Sequence, residues 1–539
     1  MLNLFKFVIY KSKGVRLLYM TTLCLSVFSL FVELIFPKLL SLFIDEVLVS
    51  RDLTLFNYYL KLFIIFFLFS ILTIYISETL SPRINLKIKL RVINSILDSF
   101  KIIDPTYIDR YDKSYLSKRI NSDSDYVVAF VLRTFNCFFT KGLYLIGGVY
   151  YIYSFGVLWV FYLVAISSTY IVAYRILKPR LLVLSKEILE TDNLFFSALS
   201  HNVTDYKSLK LHEIDHKYRE LLTTSNQNYL DKCISNVKVR FFFSNSSAII
   251  SYIVMVLLVL FGTTLIFDNK LTVGGFIALS TYFSIATNAL SYFLSFGNDY
   301  LNVKASFDRI LEFLDKKNLV LHSSQLHVIN QIDNISIKEL NFKLSDQVIF
   351  NNFNLELKKG HIYKFIGPNG CGKTTLVSLL TGIYPRNDIQ IFYNKIPFYS
   401  IDFKYIRKNC FSVMEQTPLI FPGSIKDNLT LFSNFENFDL CLLDKYTEKL
   451  FSNKFMSKNF LLDQVDTLSG GEKQKISFLR TVSKLTSVMI FDEPTNSLDI
   501  DSVKKIENII NEISKNRIII IISHDPSFAE EICTDKIYF

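Results

Sequence analysis

Long apolar runs in the first 300 residues constrain this chain more than any other feature. The run from Gly142 to Tyr174 holds 33 residues without a charged side chain, well beyond the roughly 20 residues that cross a hydrocarbon core of about 30 Å. Ser154-Phe155-Gly156 in its middle favours a tight turn, so the run predicts two helices. Together with the other apolar runs, the sequence predicts six membrane spans at about residues 16–45, 56–79, 134–153, 157–176, 243–267 and 271–298.

Composition and charge agree with a membrane protein. Half of the residues are hydrophobic and 20% are charged, whereas soluble domains carry roughly 25% charged residues. The net charge of +10 could indicate a nucleic-acid partner, but the basic residues flank apolar runs and form no single patch, so no nucleic-acid partner is expected. The seven cysteines are widely spaced and odd in number, which favours free thiols in a reducing compartment.

The distribution of basic residues predicts the orientation. Lysine and arginine precede the first span and follow the second and fourth spans, while the short turns after spans three and five carry at most one. Positive charge favours the cytoplasmic side, so both termini and the C-terminal part are expected in the cytoplasm, with the spans in a plasma membrane such as the bacterial inner membrane. The long polar connections after spans two and four are expected to continue the membrane helices into the cytoplasm.

The last third of the chain has a different pattern. Short apolar runs, such as Ile362–Ile366, Val488–Phe491 and Ile518–Ile522, alternate with helical stretches and are typical of buried parallel strands in an α/β domain. The predicted organisation is therefore an α-helical membrane domain over residues 1–315, a linker over 316–334 and an α/β P-loop nucleotide-hydrolysing domain over 335–539.

A phosphate-binding loop follows the first of these strands. Gly367, four residues, and then Gly372-Lys373-Thr374 match the P-loop pattern. Its glycines allow backbone N–H groups to surround phosphates, the following helix contributes its positive N-terminus, Lys373 neutralises phosphate charge and Thr374 offers a hydroxyl to Mg²⁺. A glycine-rich turn that matches by chance is the alternative, and the strand before and the apolar helix after argue against it.

Two carboxylates follow the second strand. Asp492 at the strand tip is suited to hold Mg²⁺, and Glu493 is suited to take a proton from an attacking water. A glutamate after an apolar strand is usually only a solvated strand end, but the P-loop upstream favours the catalytic interpretation.

Further motifs identify a family. Leu468-Ser469-Gly470-Gly471-Glu472 resembles the signature sequence of ATP-binding-cassette (ABC) proteins. Gln416 is similar to the family's Q-loop, Ser497-Leu498-Asp499 to its D-loop and His524 to its switch histidine, all in the family's order. The resemblance covers residues 335–539 by motif. More weakly, Leu271–Phe276, Ala305–Ile310 and Phe36-Pro37 resemble the exporter-type membrane domain.

The resemblance implies a dimer with two composite sites. Each ATP would lie between one P-loop and the signature residues Ser469, Gly470 and Gly471 of the other chain. It implies Glu493, His524 and Gln416 as catalytic residues and Thr374, Gln416 and Asp492 as Mg²⁺ ligands. The residues expected to contact ATP also include Gly367, Pro368, Asn369, Gly370, Cys371, Gly372, Lys373, Thr375 and Asp499. Cytoplasmic coupling helices are expected near Asp104–Asp112 and Ser200–Lys210.

The chain departs from the family pattern at three positions. Leu344 stands where an aromatic ring usually stacks on adenine, Ser114 stands where a glycine is common, and Glu472 replaces the commoner glutamine. Among the charged residues of the spans, Glu33 is the strongest candidate to line a transport pathway, whereas Glu78 and Lys141 are better explained as lying on helix extensions.

These features predict a half-transporter, a homodimer or a heterodimer with a similar chain, that hydrolyses ATP to export an amphipathic compound such as a small peptide or peptide-like natural product. A lipid or multidrug flippase and an importer built on the exporter fold, for a metal chelate for example, remain open. An ATP-gated channel or a regulator is a third alternative, which the intact Glu493 and His524 disfavour.

Overall fold

The computed structural model describes residues 2–47, 52–103, 105–109, 111–315, 326–344, 347–384, 389–430, 439–451, 462–463, 465 and 468–539. The chain divides into two compact units. The first comprises Met1–Lys101 and Asp109–Lys317, and the second comprises Ile102–Ile108 and Asn318–Phe539.

The first unit is helical. Its helices are α1 (Leu2–Lys11), α2 (Arg16–Leu42), α3 (Leu53–Phe100), α5 (Lys113–Ser154), α6 (Val157–Thr204), α7 (Tyr206–Leu211), α8 (Asp215–Phe267) and α9 (Val273–Asp315), with a π-helical turn over Phe43–Val47; the short helix α4 (Pro105–Ile108) belongs to the second unit. Six of these helices are 27 residues or longer, so the polar connections after spans two and four do continue as helix.

The two tight turns predicted between spans are confirmed. Helix α5 ends at Ser154 and α6 begins after Gly156, whose φ of 131° suits glycine. Asn269, with φ 58°, lies in the turn between α8 and α9. Within the described residues, three helical stretches are long and apolar enough to cross a membrane, Arg16–Val47, Leu53–Phe100 and Val273–Phe293, and Val157–Thr169 and Met255–Phe267 are shorter apolar stretches. The count of six spans stays a prediction.

Polar contacts join distant parts of the first unit. The Asp45 carboxylate accepts hydrogen bonds from the Gly274 N–H (2.9 Å) and the Thr272 hydroxyl (2.7 Å), which places the end of α2 against the start of α9. Near the other end of α9, the Arg309 Nε donates to Asp123 Oδ2 of α5 (2.8 Å). Such contacts fix the register of helices whose apolar faces alone would permit sliding.

The short helices of the predicted coupling segments are partly visible. Helix α7 over Tyr206–Leu211 lies at the end of the segment predicted near Ser200–Lys210. Helix α4 lies within the segment predicted over Asp104–Asp112. Asp104 and Arg110 of that segment lie outside the described residues, and so does the side chain of Ser114.

The described residues of the second unit form nine strands. They are β1 (Asn334–Leu344), β2 (Gln347–Lys358), β3 (Ile362–Ile366), β4 (Ile391–Tyr393), β5 (Ile396–Pro397), β6 (Phe411–Met414), β7 (Val488–Asp492), β8 (Ile518–Ile522) and β9 (Asp535–Tyr538). Its further helices are α10 (Lys373–Leu380), α11 (Phe403–Asn409), α12 (Ile425–Thr430), α13 (Leu440–Phe451), α14 (Gly470–Val482) and α15 (Ile500–Ile513), with short 3₁₀ turns over Phe398–Ser400 and Ser514–Asn516.

Five strands form a parallel sheet in the order β6-β7-β8-β3-β9. Side chains alternate between its two faces, as the two-residue period of a strand requires. Ile490 and Ile520 pack into one core with helix α10, and Met489 and Ile521 pack into the other core with α14 and α15. A sheet covered on both faces is the α/β arrangement predicted from sequence. Strands β2-β1-β4-β5 form a separate antiparallel sheet.

The start of the second unit lies earlier than the sequence suggested. Ile329 and Ile332, which we assigned to the linker over 316–334, are buried in the core of the second unit. His327 forms an isolated bridge with Ile401. The described part of that linker, from residue 326 onward, therefore belongs to the packed domain.

Candidate functional site

The P-loop connects strand β3, which lies between β8 and β9, to helix α10. Gly370 (φ 82°) and Gly372 (φ 105°) have left-handed backbone conformations that side chains with a Cβ rarely adopt. Space is also restricted at Gly372, because a Cβ there would lie 2.6 Å from Ile349 Cγ2. The loop glycines are therefore required by conformation and by packing, and the loop ends at the N-terminus of α10, which favours an anion.

Lys373 lies folded over this loop. Its ammonium donates to the carbonyl oxygens of Gly367 (2.7 Å) and Pro368 (2.9 Å), and the side chain is 7% exposed. The cation is thus held next to the loop N–H groups, where a phosphate would be bound.

The three predicted Mg²⁺ ligands line one cavity of about 510 Å³. Thr374, Gln416 and Asp492 all contribute to its wall, and the Thr374 hydroxyl donates to Asp492 Oδ2 at 3.2 Å. Burial raises the pKa of Asp492, while the Thr374 hydrogen bond and the Lys373 charge lower it. A hydroxyl, a carboxylate and an amide oxygen are hard oxygen ligands that fit Mg²⁺, which takes few protein ligands when phosphates complete its shell. Accordingly, no cluster of three or more His, Cys, Asp or Glu suited to a metal ion occurs in the described residues.

Glu493 is buried next to Asp492 and is held by contacts of both its backbone and its side chain. Its backbone has φ 50°, its N–H donates to the Ile522 carbonyl (2.9 Å), and its own carbonyl accepts from Gln474 Nε2 (2.9 Å). One carboxylate oxygen accepts from the His524 backbone N–H (2.9 Å) and lies 3.6 Å from His524 Nε2. Burial raises the pKa of Glu493, and His524 opposes that rise. A carboxylate in a strained, fixed position with a raised pKa is suited to proton transfer.

The signature residues begin helix α14. Ser469 is its N-cap and forms a capping box with Glu472: the Ser469 Oγ accepts from the Glu472 N–H (3.3 Å), and the Glu472 side chain accepts from the Ser469 N–H (2.9 Å). A Cβ on Gly471 would lie 2.7 Å from the Ser497 carbonyl oxygen, so only glycine fits there. None of Ser469, Gly470 and Gly471 lines the cavity that holds Thr374 and Asp492.

Asp499 has a local role in the structure. It caps α15 by accepting from the Ser502 N–H (3.1 Å) and hydroxyl (2.6 Å), hydrogen bonds that lower the pKa of its carboxyl. Its predicted contact with ATP stays a prediction.

Two buried side chains support the site and were missed from sequence. Gln474 holds the Glu493 backbone as described above. Lys364, in the middle of β3 and 1% exposed, donates to the carbonyl oxygens of Asp525 (3.0 Å), Pro526 (2.9 Å) and Phe528 (2.7 Å), in the loop that follows His524. The available signal was a lysine inside an otherwise apolar strand, which requires buried acceptors.

The family usually has an aromatic ring at the position of Leu344, and strand β1 offers no other ring that could take its place. Phe342 is 2% exposed and its ring packs 5.6 Å from that of Tyr384. It therefore belongs to the core. Leu344 is half-buried at the end of β1, and its position at the adenine stack stays a prediction from the family resemblance.

Comparison with known proteins agrees with this geometry. Residues 350–496 match the family model "ABC transporter", and residues 19–290 match "ABC transporter transmembrane region". A putative export ATP-binding/permease protein of Rickettsia typhi is 26% identical over 436 residues, covering 76% of this chain and 73% of that protein. An ABC-type oligopeptide transporter of Homo sapiens is 21% identical, covering 82% of this chain and 59% of that protein.

The fraction of each relative's length that this chain matches differs between relatives. It matches only 32% of the length of ABC transporter B family member 1 of Dictyostelium discoideum, at 27% identity over 52% of this chain. The structure of a bacterial Atm1-family ABC exporter with ATP bound superposes with a TM-score of 0.85 and 15% identity, over 96% of this chain and 92% of that one, which shows the fold. The chain belongs to the ABC transporters, with an exporter-type membrane domain fused to a nucleotide-binding ATPase domain.

Proposed function

We propose that two copies of this chain hydrolyse ATP to export an amphipathic compound across the membrane. The observation that carries the proposal is the position of Glu493, which is buried directly after Asp492 and held by His524 and Gln474. A regulator or an ATP-gated pore would not need a carboxylate fixed in this way beside the phosphate loop, because binding alone would suffice.

In this mechanism the P-loop N–H groups and Lys373 bind the β- and γ-phosphates. Thr374, Asp492 and Gln416 would hold Mg²⁺, which would supply positive charge against the phosphate oxygens. Glu493 takes a proton from water while the water oxygen bonds to the γ-phosphorus and the bond between that phosphorus and the β–γ bridging oxygen breaks. His524, on the loop next to Glu493, contacts the γ-phosphate and keeps the carboxylate ionised.

The second half of each site comes from the other copy. Ser469, Gly470 and Gly471 lie at an exposed helix N-terminus outside the cavity of their own chain, which suits a contact with a nucleotide held by a partner. One sequence carries the P-loop, the signature residues and Glu493, which supports a homodimer. A heterodimer is the alternative, and it would appear as loss of activity in the chain purified alone.

The transported compound is proposed as amphipathic, with a peptide as one candidate because a human oligopeptide transporter is among the relatives. Glu33 of α2, which accepts a hydrogen bond from the Tyr144 hydroxyl of α5, is a candidate contact for a polar part of that compound. A lipid or multidrug flippase and an importer on the same fold are the alternatives. Both termini are proposed to lie in the cytoplasm, with the spans in the bacterial inner membrane.

The test is ATP hydrolysis by the full chain in sealed vesicles, with candidate amphiphiles added. We expect stimulated hydrolysis and ATP-dependent movement out of the compartment that holds the ATP. Glu493→Gln should bind ATP but hydrolyse it at least about 100-fold more slowly, whereas Glu512→Gln, a surface carboxylate paired with Lys445, should hydrolyse normally. Brisk hydrolysis by Glu493→Gln would exclude this glutamate as the base, and movement of the compound in the opposite direction would establish an importer.

A further inference from the structure

We propose that a cavity between α2, α3 and α5 binds the headgroup of an anionic phospholipid with a hydroxyl-bearing head, of the phosphatidylglycerol type. The cavity has a volume of about 290 Å³ and is formed entirely by the first unit. Its lining contains neither a residue of the nucleotide site nor Glu33, so the proposal does not depend on how ATP or the transported compound is bound.

The cavity lies at the predicted cytoplasmic end of three spans. Tyr19 and Thr22 follow the start of the first span at about residue 16, Ser77 and Ser81 flank the end of the second at about 79, and Arg133 adjoins the start of the third at about 134. At 1.5 Å per helical residue, these positions lie within about 10 Å of the span ends. The cavity therefore lies across the boundary between the acyl chains and the cytoplasmic headgroups.

The lining carries one positive charge and no negative one, and this cation is paired with Asp299 of α9, which lies outside the lining. Arg133 is the cation, and hydroxyl and amide groups from Ser77, Ser81 and Asn136 surround the remaining space, whereas the Thr22 hydroxyl already donates to the Tyr19 carbonyl oxygen (2.8 Å). The Ser26 hydroxyl donates to Asn136 Oδ1 (2.7 Å), which leaves the amide NH₂ of Asn136 as a donor. A cation with several donors is the chemistry that recognises a phosphate.

Asn85 extends this recognition beyond the phosphate. It lines the cavity, and its Oδ1 is buried without a hydrogen-bond partner among the residues that the structure describes. A buried acceptor of this kind is normally satisfied, and a hydroxyl of a glycerol headgroup would donate to it once the amide rotates to face the cavity. Phosphate for Arg133 and a hydroxyl donor for Asn85 together define the headgroup class.

The cavity's size and surroundings favour a membrane lipid as the source of the headgroup. Pockets for whole small molecules measure roughly 300–1,000 Å³, so this one is suited to a headgroup whose tails stay outside. Exposed apolar side chains next to it, such as Met20 (59% exposed) and Phe135 (45% exposed), provide a surface for those tails. Basic pockets between membrane helices on the cytoplasmic side commonly bind anionic headgroups.

The decisive variants separate lipid binding from an ion pair. Arg133 Nη2 lies 3.0 Å from Asp299 Oδ2 of α9, so replacing Arg133 removes that pair as well. Phosphatidylglycerol would be titrated into the detergent-purified full chain and counted by native mass spectrometry. We expect Arg133→Gln to weaken binding about tenfold or more, whereas Asp299→Asn, which frees the arginine, should leave binding unchanged or tighten it. Equal weakening by both variants would assign Arg133 to the ion pair and overturn the proposal.

Further variants and lipids in the same experiment identify the ligand. Asn85→Leu should weaken phosphatidylglycerol but not phosphatidic acid, which lacks the glycerol hydroxyls, and Arg83→Gln, an exposed arginine outside the cavity, should change neither. Phosphatidylglycerol should raise the melting temperature of the wild-type chain more than that of Arg133→Gln. Equal binding of zwitterionic phosphatidylcholine, displacement by free glycerol phosphate at similar concentration, or no saturable binding would each overturn the proposal. If Arg133→Gln does not fold, Asn85→Leu carries the test.

Discussion

Replacing Lys364 with methionine tests whether the loop after His524 depends on one buried cation. The Lys364 ammonium is the donor for three carbonyl groups of that loop, and burial lowers its pKa. Methionine keeps most of the apolar side-chain volume and removes all three donors. The β3 strand and the P-loop that follows it should therefore stay intact while the loop loses its attachment.

The size of the effect follows from the three acceptors. Asp525 and Pro526 are exposed, so water can replace the donor at a cost of about 0.5–1.5 kcal/mol for each lost hydrogen bond. Phe528 is buried, and its unpaired carbonyl costs about 1–3 kcal/mol. Relief from burying an ammonium offsets part of the loss. We therefore expect the loop to open more easily by about 2–4 kcal/mol, equivalent to about 30- to 1,000-fold.

Hydrogen exchange of the purified full chain measures this opening directly. The amides of His524 and Ala529, which donate to side chains of Glu493 and Glu507, should exchange faster in Lys364→Met, and those of α14 should not. Turnover should fall while the KM for ATP stays within about twofold, because the P-loop is unchanged. Lys536→Met removes a lysine that pairs with Glu530 at the surface of the same loop and should behave like wild type. Unchanged loop exchange in Lys364→Met would refute the reasoning.

Three further predictions concern base selectivity, pH and packing. Wild type should bind ATP and GTP with similar affinity in competition assays, and Leu344→Tyr should favour ATP; a strong ATP preference in wild type would contradict this. Burial raises the pKa of Glu493, and His524 opposes that rise. Turnover should therefore decline on acidification at a higher pH than an ordinary glutamate would give, and the residual turnover of His524→Ala should decline at a higher pH still. A pH–rate profile in which the decline does not shift would refute this prediction. Gly274→Ala should lower the melting temperature, because the added Cβ would lie 2.3 Å from the Ser41 carbonyl oxygen. Gly142→Ala should leave the melting temperature unchanged, because a Cβ added there would have no neighbouring atom within 4 Å.

The sequence predicted the second unit well because its signals are local. A P-loop needs glycines and a lysine at fixed spacing, and buried strands such as Ile518–Ile522 appear as unbroken apolar runs. The supports of the site are not local. Gln474 and Glu493 are 19 residues apart, and Lys364 lies 161 or more residues from the carbonyls it binds. No spacing rule connects such residues, so only the sheet order shows that they meet.

In the membrane unit, too, local features could be predicted from the sequence and long-range contacts could not. Tight turns at Gly156 and Asn269 followed from composition, and so did the continuation of the helices beyond the spans. The contacts of Asp45 with the start of α9 and of Arg309 with Asp123 join residues that are 186 or more positions apart. In helices with apolar residues on most faces, periodicity does not indicate which face contacts which neighbour, so these pairings could not be predicted.

The departures from the family pattern differ in their physical consequence. At Glu472 the structure shows why glutamate serves as well as glutamine: the side chain only has to accept a hydrogen bond from the Ser469 N–H, and both residues carry an acceptor oxygen at the required distance from the N-cap. Leu344 has no such equivalent, because a leucine has no aromatic face with which to stack on a base and Phe342 is committed to the core. The first substitution should therefore leave nucleotide binding unchanged, while the second should change which base the site prefers.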